Sequence, residues 1–184
     1  VPTCNRPAEL ARCLEHLRRA IEAAGREGLE IVVTDDGTVP AADSLRDRFP
    51  EVRWLRGPRR GPAANRNAAV TAARGHWILF TDDDCLPAAE WVVFEGATTI
   101  DRPVARLDEE APWNERGGYL WACNMAVERD LFLAVGGFCE TFPAAASEDS
   151  DFKLRLDKAG ERIVFVPDAV VCHPLRRSRG LAHQ

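Results

Sequence analysis

The chain has 184 residues, 46% apolar and 29% charged, which is ample for one domain with a sizeable core and short for two. Its formal net charge of −5 gives no global case for nucleic-acid binding. No apolar run reaches membrane-spanning length, and the start carries no signal-peptide pattern.

In chain order, "VPT" opens a very short strand, or the sequence is a trimmed domain. Pro7 sits where a helix begins, and Leu10, Leu14, Leu17, Ile21 and Ala24 recur at helical spacing, so 7–24 reads as an amphipathic helix. "LEIVVTDDGT" is a β-branched strand running into aspartates and Gly37. A weak helix covers 41–49, and "VRWLRG" is a third strand. "GPAANRNAAVTAARG" is an alanine-rich helix closed by Gly75, and "HWILFT" is a fourth strand.

Residues 92–118 read mainly as an irregular loop. "YLWACNMAV" reads as a strand and "ERDLFLAVGG" as a short helix with a glycine stop. "SEDSDFKLRLDKAG" is a helix capped by Ser147 and ended by Gly160. "RIVFVP" and "AVVCHP" close the sheet. Strands alternating with helices predict an α/β fold, with a mostly parallel central sheet flanked by helices.

The six cysteines are Cys4, Cys13, Cys85, Cys123, Cys139 and Cys172. None has C-x-x-C spacing, which argues against a zinc or thioredoxin-like site. They read as reduced, mostly buried small residues of a cytoplasmic protein, although the even count leaves disulfides open.

Two strands end in aspartates: Asp35 and Asp36, then Asp82, Asp83 and Asp84. In an open α/β sheet, ligands bind beyond the carboxyl ends of the strands. Along an extended chain Asp82 and Asp84 point one way and Asp83 the other, which suits two carboxylates on one divalent cation bridging to a diphosphate. A solvated acidic turn is the other reading. Glu148 and Asp149 stand at a helix start, where one is placed to serve as a general base; plain N-terminal helix charge is the competing reading. His173 ends a strand as a third metal ligand or as a partly buried histidine. Arg66, between Asn65 and Asn67, lies near a helix start and reads as an anion site or as an exposed helical face.

These segments, in this order, resemble the inverting family 2 glycosyltransferases with the GT-A fold. The likeness is carried by "VPTCNRPAELARCL", "IVVTDDGT", "GPAANRNAAVTAARGHWILFTDDDCLP", "ACNMAVERDLFLAVGGFCETFP", "SEDSDFKLRLDKAG" and "VCHP". The resemblance implies a single GT-A catalytic domain over 1–184, with a nucleotide-binding part at about 1–87 and an acceptor-side part at about 88–184.

It implies nucleotide contacts from Pro2, Thr3, Asn5, Arg6, Asp36, Arg66 and Asp83. It implies a metal site of Asp82, Asp84 and His173 for Mn²⁺ or Mg²⁺. Asp149, with Glu148 beside it, would be the catalytic base, and Trp121, Cys123 and Asn124 would bind donor sugar and acceptor. The implied activity is inverting transfer of a hexosyl-type sugar from a UDP-, GDP- or dTDP-sugar to a hydroxyl of a glycan, lipid or small molecule. No nucleic acid partner is implied, and membrane contact is at most peripheral.

The sequence departs from the family at Cys4, where an aromatic residue often stands to stack on the base. The first strand is also cut short. Two other activities share parts of this pattern. A sugar nucleotidyltransferase usually has a Gly-rich basic loop near the amino end, which "VPTCNRP" lacks. A non-catalytic nucleotide-sugar binder has no need of the "SEDSDF" helix. The tail "LRRSRGLAHQ" reads as disordered, as a loop over diphosphate or as a weak contact with anionic lipid; its three arginines are too few for an anchor.

Overall fold

Pro7 at the first helical position and apolar residues on one face produce α1 (Pro7–Ala24), which lies over a parallel sheet. That sheet is built from β1 (Pro2–Thr3), β2 (Ile31–Asp35) and β3 (Val52–Arg56) in the order β1-β2-β3. Leu10, Leu14 and Leu17 of the helix meet Val33 of β2, with Phe49 closing the layer. The short helix α2 (Ala42–Leu45) adds Leu45 to this core, and α3 (Pro62–Ala72) follows β3. The computed structural model describes residues 1–25, 28–87, 95–142 and 147–177. The segment just after Pro87 and most of the arginine tail lie outside the described residues.

A second sheet has the order β4-β8-β6-β9-β5. Its strands are β4 (Trp77–Phe80), β5 (Leu86–Pro87), β6 (Glu95–Ile100), β8 (Met125–Glu128) and β9 (Phe165–His173). Two helices, α4 (Arg129–Ala134) and α5 (Glu148–Lys158), pack against it. Phe80, Phe132, Phe138 and Phe152 form the centre of this second core, with ring centroids 5.1–5.4 Å apart. A small ribbon pairs β7 (Glu109–Glu110) with β10 (Arg176–Arg177).

The parallel arrangement expected from sequence holds for β1–β3 and for β6 with β9. The pairs β4–β8, β6–β8 and β5–β9 are antiparallel. A parallel neighbour requires a helical crossover, and β8 is reached instead through a long irregular segment.

Four boundaries also differ from expectation. The helix α3 stops at Ala72 because Ala73 is already extended, so Gly75 does not close it. The strand expected from Tyr119 begins at Met125; Leu120 has φ 56°, and the N–H groups of Tyr119 and Leu120 bond to Glu95. The two strands expected at the end are one strand, β9. Its pairing jumps from Gly96↔Val166 to Ala97↔Val170, which leaves Pro167 outside the ladder. Ser147 has φ 73° and makes no side-chain capping bond.

Candidate active site

The carboxyl end of β4 delivers Asp82, Asp83 and Asp84 beside Thr3 and Arg6 from the carboxyl end of β1. Beyond β4 the chain does not stay extended. Residues 83 and 84 form a turn, closed by the Cys85 N–H donating to the Asp82 carbonyl at 3.2 Å. The alternation expected for the triplet is therefore lost. Asp82 accepts from Arg66 at 2.8 Å, whereas Asp83 and Asp84 share Arg6 at 3.1 and 3.4 Å. Asp83 also accepts the Thr3 hydroxyl at 2.8 Å. Burial pushes the Asp83 carboxyl above its usual value, against the pull of Thr3 and Arg6.

Arg66 is buried on α3 and donates to both Asp82 and Glu148 at 2.8 Å. Its guanidinium also lies over the Phe138 ring, 5.7 Å from the centroid. Burial alone would raise the pKa of Asp82; the charge and hydrogen bond of Arg66 outweigh it and hold the carboxyl low. The exposed helical face expected as one reading of Arg66 is thus replaced by a buried bridge between α3, the end of β4 and α5.

Asp149 differs from these acids. Its oxygens accept the Ser150 N–H at 2.9 Å and the Ala122 N–H at 3.5 Å. It makes no ion pair among the described residues, and burial followed by repulsion from Glu148 raises its pKa.

His173 and Asp84 meet on the other side. The carbonyl of Pro174 can only accept, so at 2.9 Å from Nδ1 it fixes the proton there. Nε2 then faces Asp84 Oδ1 at 3.7 Å. A buried carboxylate oxygen opposite an imidazole nitrogen is a donor set suited to a divalent cation. Arg176 of β10 pairs with the other Asp84 oxygen, Oδ2.

The remaining expected residues divide. Trp121 stacks on Tyr119 with centroids 5.2 Å apart and planes at 10°, and its buried Nε1 has no hydrogen-bond partner among the described residues. Cys123 is buried against Cys85 and Val171. The Asn124 amide donates at 2.8 Å to the carbonyls of Ala97 and Ala169, so it ties β6 to β9. Pro2 pairs with Thr34 in the first sheet. Asn5 (φ 56°) accepts the Thr38 N–H at 3.0 Å, and Asp36 accepts the Arg59 N–H at 2.8 Å. A side chain at Gly57 would strike both Asp36 and Asn65, so the turn after β3 needs glycine to pass over this edge.

Residues 1–93 match the profile described as glycosyl transferase family 2. The chain belongs to this family.

Among relatives of this family 2 glycosyltransferase, the succinoglycan biosynthesis protein ExoM of Rhizobium meliloti is 28% identical over 208 aligned residues, covering 97% of this chain and 67% of that protein. A pre-mycofactocin glycosyltransferase of Mycobacterium tuberculosis is 27% identical, covering 96% and 42%. The chain thus spans about two thirds of the first relative and less than half of the second. The structure of S. aureus TarS 1–349 in complex with UDP-GlcNAc has a TM-score of 0.71 at 16% identity, covering 100% of this chain and 59% of that one. GalNAc-T7 with UDP, GalNAc and Mn²⁺ has a TM-score of 0.68 at 16% identity, covering 96% and 42%. The GT-A fold is shared with both. Among the described residues, no helix is long and apolar enough to cross a membrane.

Four further residues shape the candidate site without having been given a role there from sequence. Asp35 accepts the N–H groups of Gly37 and Ala41 at 2.7 and 2.6 Å and shapes the turn that presents Asp36. Asn65 bridges to the carbonyl of Thr34 at 2.9 Å and keeps a buried Oδ1 with no hydrogen-bond partner among the described residues. Glu95 binds the loop leading to Trp121, and Arg176 reaches Asp84. The "DD" and "NRN" patterns carried a signal for the first two. Arg176 lies in the arginine tail for which a loop over diphosphate was one reading, but its partner Asp84 was not foreseen, and Glu95 had no signal because its contacts are remote in sequence.

Proposed function

We propose that this chain transfers a sugar from a nucleotide-diphosphate sugar, a UDP-sugar in the first instance, to an acceptor hydroxyl in one inverting displacement, with Asp149 as general base. The observation that carries this reading is the state of Asp149. Asp82, Asp83, Asp84 and Glu148 are each paired with an arginine. Among the described residues Asp149 is bonded only to backbone N–H groups, and its burial raises its affinity for a proton. A carboxylate so placed is suited to accept the acceptor's proton as the hydroxyl oxygen attacks.

Glu148 then neutralises and holds Arg66 rather than sharing the base role. Asp84 and His173 would hold a divalent cation, Mn²⁺ or Mg²⁺, and when bound it supplies countercharge to the departing diphosphate. Arg6 stands beside Asp83 and Asp84, where a guanidinium can also meet phosphate oxygens. The TarS and GalNAc-T7 structures named for UDP, UDP-GlcNAc and Mn²⁺ support the choice of donor and ion.

The test is to measure donor binding and nucleotide release with a panel of nucleotide sugars and Mn²⁺. Asp149→Asn should retain donor binding and lose transfer by about 10²–10⁴-fold. Transfer by Asp149→Asn at the wild-type rate would sink the base assignment. Donor binding indifferent to chelator would sink the metal assignment.

A further inference from the structure

Asp84 Oδ1 faces two groups at once. His173 Nε2 is 3.7 Å away and Cys85 Sγ is 3.8 Å away. The three ligand atoms all lie within 4.8 Å of one another. Arg6 and Arg176 both pair with the other oxygen of this carboxylate, Oδ2.

A tetrahedral ion bonded at ~2.0 Å to oxygen and nitrogen and ~2.3 Å to sulfur sets ligand atoms roughly 3.3–3.5 Å apart. An octahedral Mg²⁺ cage at ~2.1 Å sets neighbouring oxygens at about 3.0 Å. The 3.7 and 3.8 Å separations from Asp84 Oδ1 are nearer the wider spacing, and the third pair would have to close in from within 4.8 Å around an ion.

We infer that Cys85 is a third protein ligand of this site, which makes it an oxygen–nitrogen–sulfur site that takes Zn²⁺ or Co²⁺ ahead of Mn²⁺ and Mg²⁺. The inference rests on the reading of Asp84 and His173 as a cation site and adds a ligand to it. The absence of C-x-x-C spacing argues only against sites made of paired cysteines. Here one thiol follows directly on the aspartate, and the histidine arrives on β9. The backbone carbonyl on His173 Nδ1 is the kind of support that orients a metal-binding imidazole. A thiolate ligand shifts preference toward softer ions, and the general affinity order of divalent metals runs the same way. As the sulfur–metal bond forms, the S–H bond breaks and its proton passes to solvent.

Co²⁺ is the probe. It should bind the intact chain at one ion per molecule and produce sulfur-to-cobalt charge-transfer absorption in the near ultraviolet. That absorption should vanish in Cys85→Ser and persist in Cys123→Ser. Zn²⁺ should displace Co²⁺, and it should bind Cys85→Ser about tenfold or more weaker than wild type. Equilibrium dialysis separates the failures. Cobalt bound by wild type without charge-transfer absorption, or absorption that survives in Cys85→Ser, overturns the sulfur ligand and leaves the Asp84–His173 reading standing. No bound cobalt overturns both. The wild-type spectrum decides even if the serine variant fails to fold.

Discussion

Asp149 and Arg66 set opposite demands on the same patch. The folded-state pKa of Asp149 is raised above its usual 3.8. A raised carboxyl contributes stability below the unfolded pKa, and that contribution is lost as pH rises through the folded value. At neutral pH the ionised carboxylate is therefore held at a cost. Asp149→Asn should unfold at higher urea than wild type at pH 7, and the gap should shrink as both forms become neutral below pH 3.8; an equal gap at both pH values would contradict the assignment. Arg66 works the other way. Asp82 has a depressed pKa, so its contribution is present above 3.8 and lost as pH falls through the lower folded value. Arg66→Met strands Glu148 and Asp82 and should cost about 3–5 kcal/mol in urea unfolding. Adding Glu148→Gln to Arg66→Met should recover part of the loss in a double-mutant cycle.

At the scale of elements, much of the half before Pro87 was legible because β2, β3 and β4 are short apolar runs and α1 and α3 each open with a proline. β2, β3, α1 and α3 fall within a few residues of the pattern that predicts them. The region around β6 was not legible, because "EGATTI" has no apolar run and its glutamate is buried. Glu95 is 2% exposed and accepts from the Asn114 amide and the N–H groups of Gly118, Tyr119 and Leu120 at 2.7–2.8 Å. It thereby replaces the strand pairing that "YLWACNMAV" suggests. Likewise the aspartate triplet was legible as a site, but its division was not, since Arg6, Arg66 and Arg176 come from three separate elements. Glu95→Gln turns one acceptor into a donor that faces a backbone N–H. It should lower stability by about 1–3 kcal/mol and speed hydrogen exchange in residues 114–120, with little change at β2 and β3.

For the whole molecule, the proposed base and four of the expected nucleotide-side residues lie on different cores. Thr3, Asn5, Arg6 and Asp36 sit on or beside the α1–β2–β3 layer, whereas Asp149 rides on α5 above the phenylalanine cluster. Arg6, just before α1, pairs across to Asp83 and Asp84 after β4, while Arg66 ties α3 to Asp82 and to Glu148 at the start of α5. Phe152 lies three residues after Asp149 on the same helix and is fully buried, with its ring 5.1 Å from those of both Phe132 and Phe138. Phe152→Ala should remove about 3–5 kcal/mol of stability and let α5 shift without touching the first core. At a temperature where the variant remains folded by circular dichroism, nucleotide binding should stay near wild type while sugar transfer falls. Parallel losses of binding and transfer would show that the two cores do not divide the work in this way.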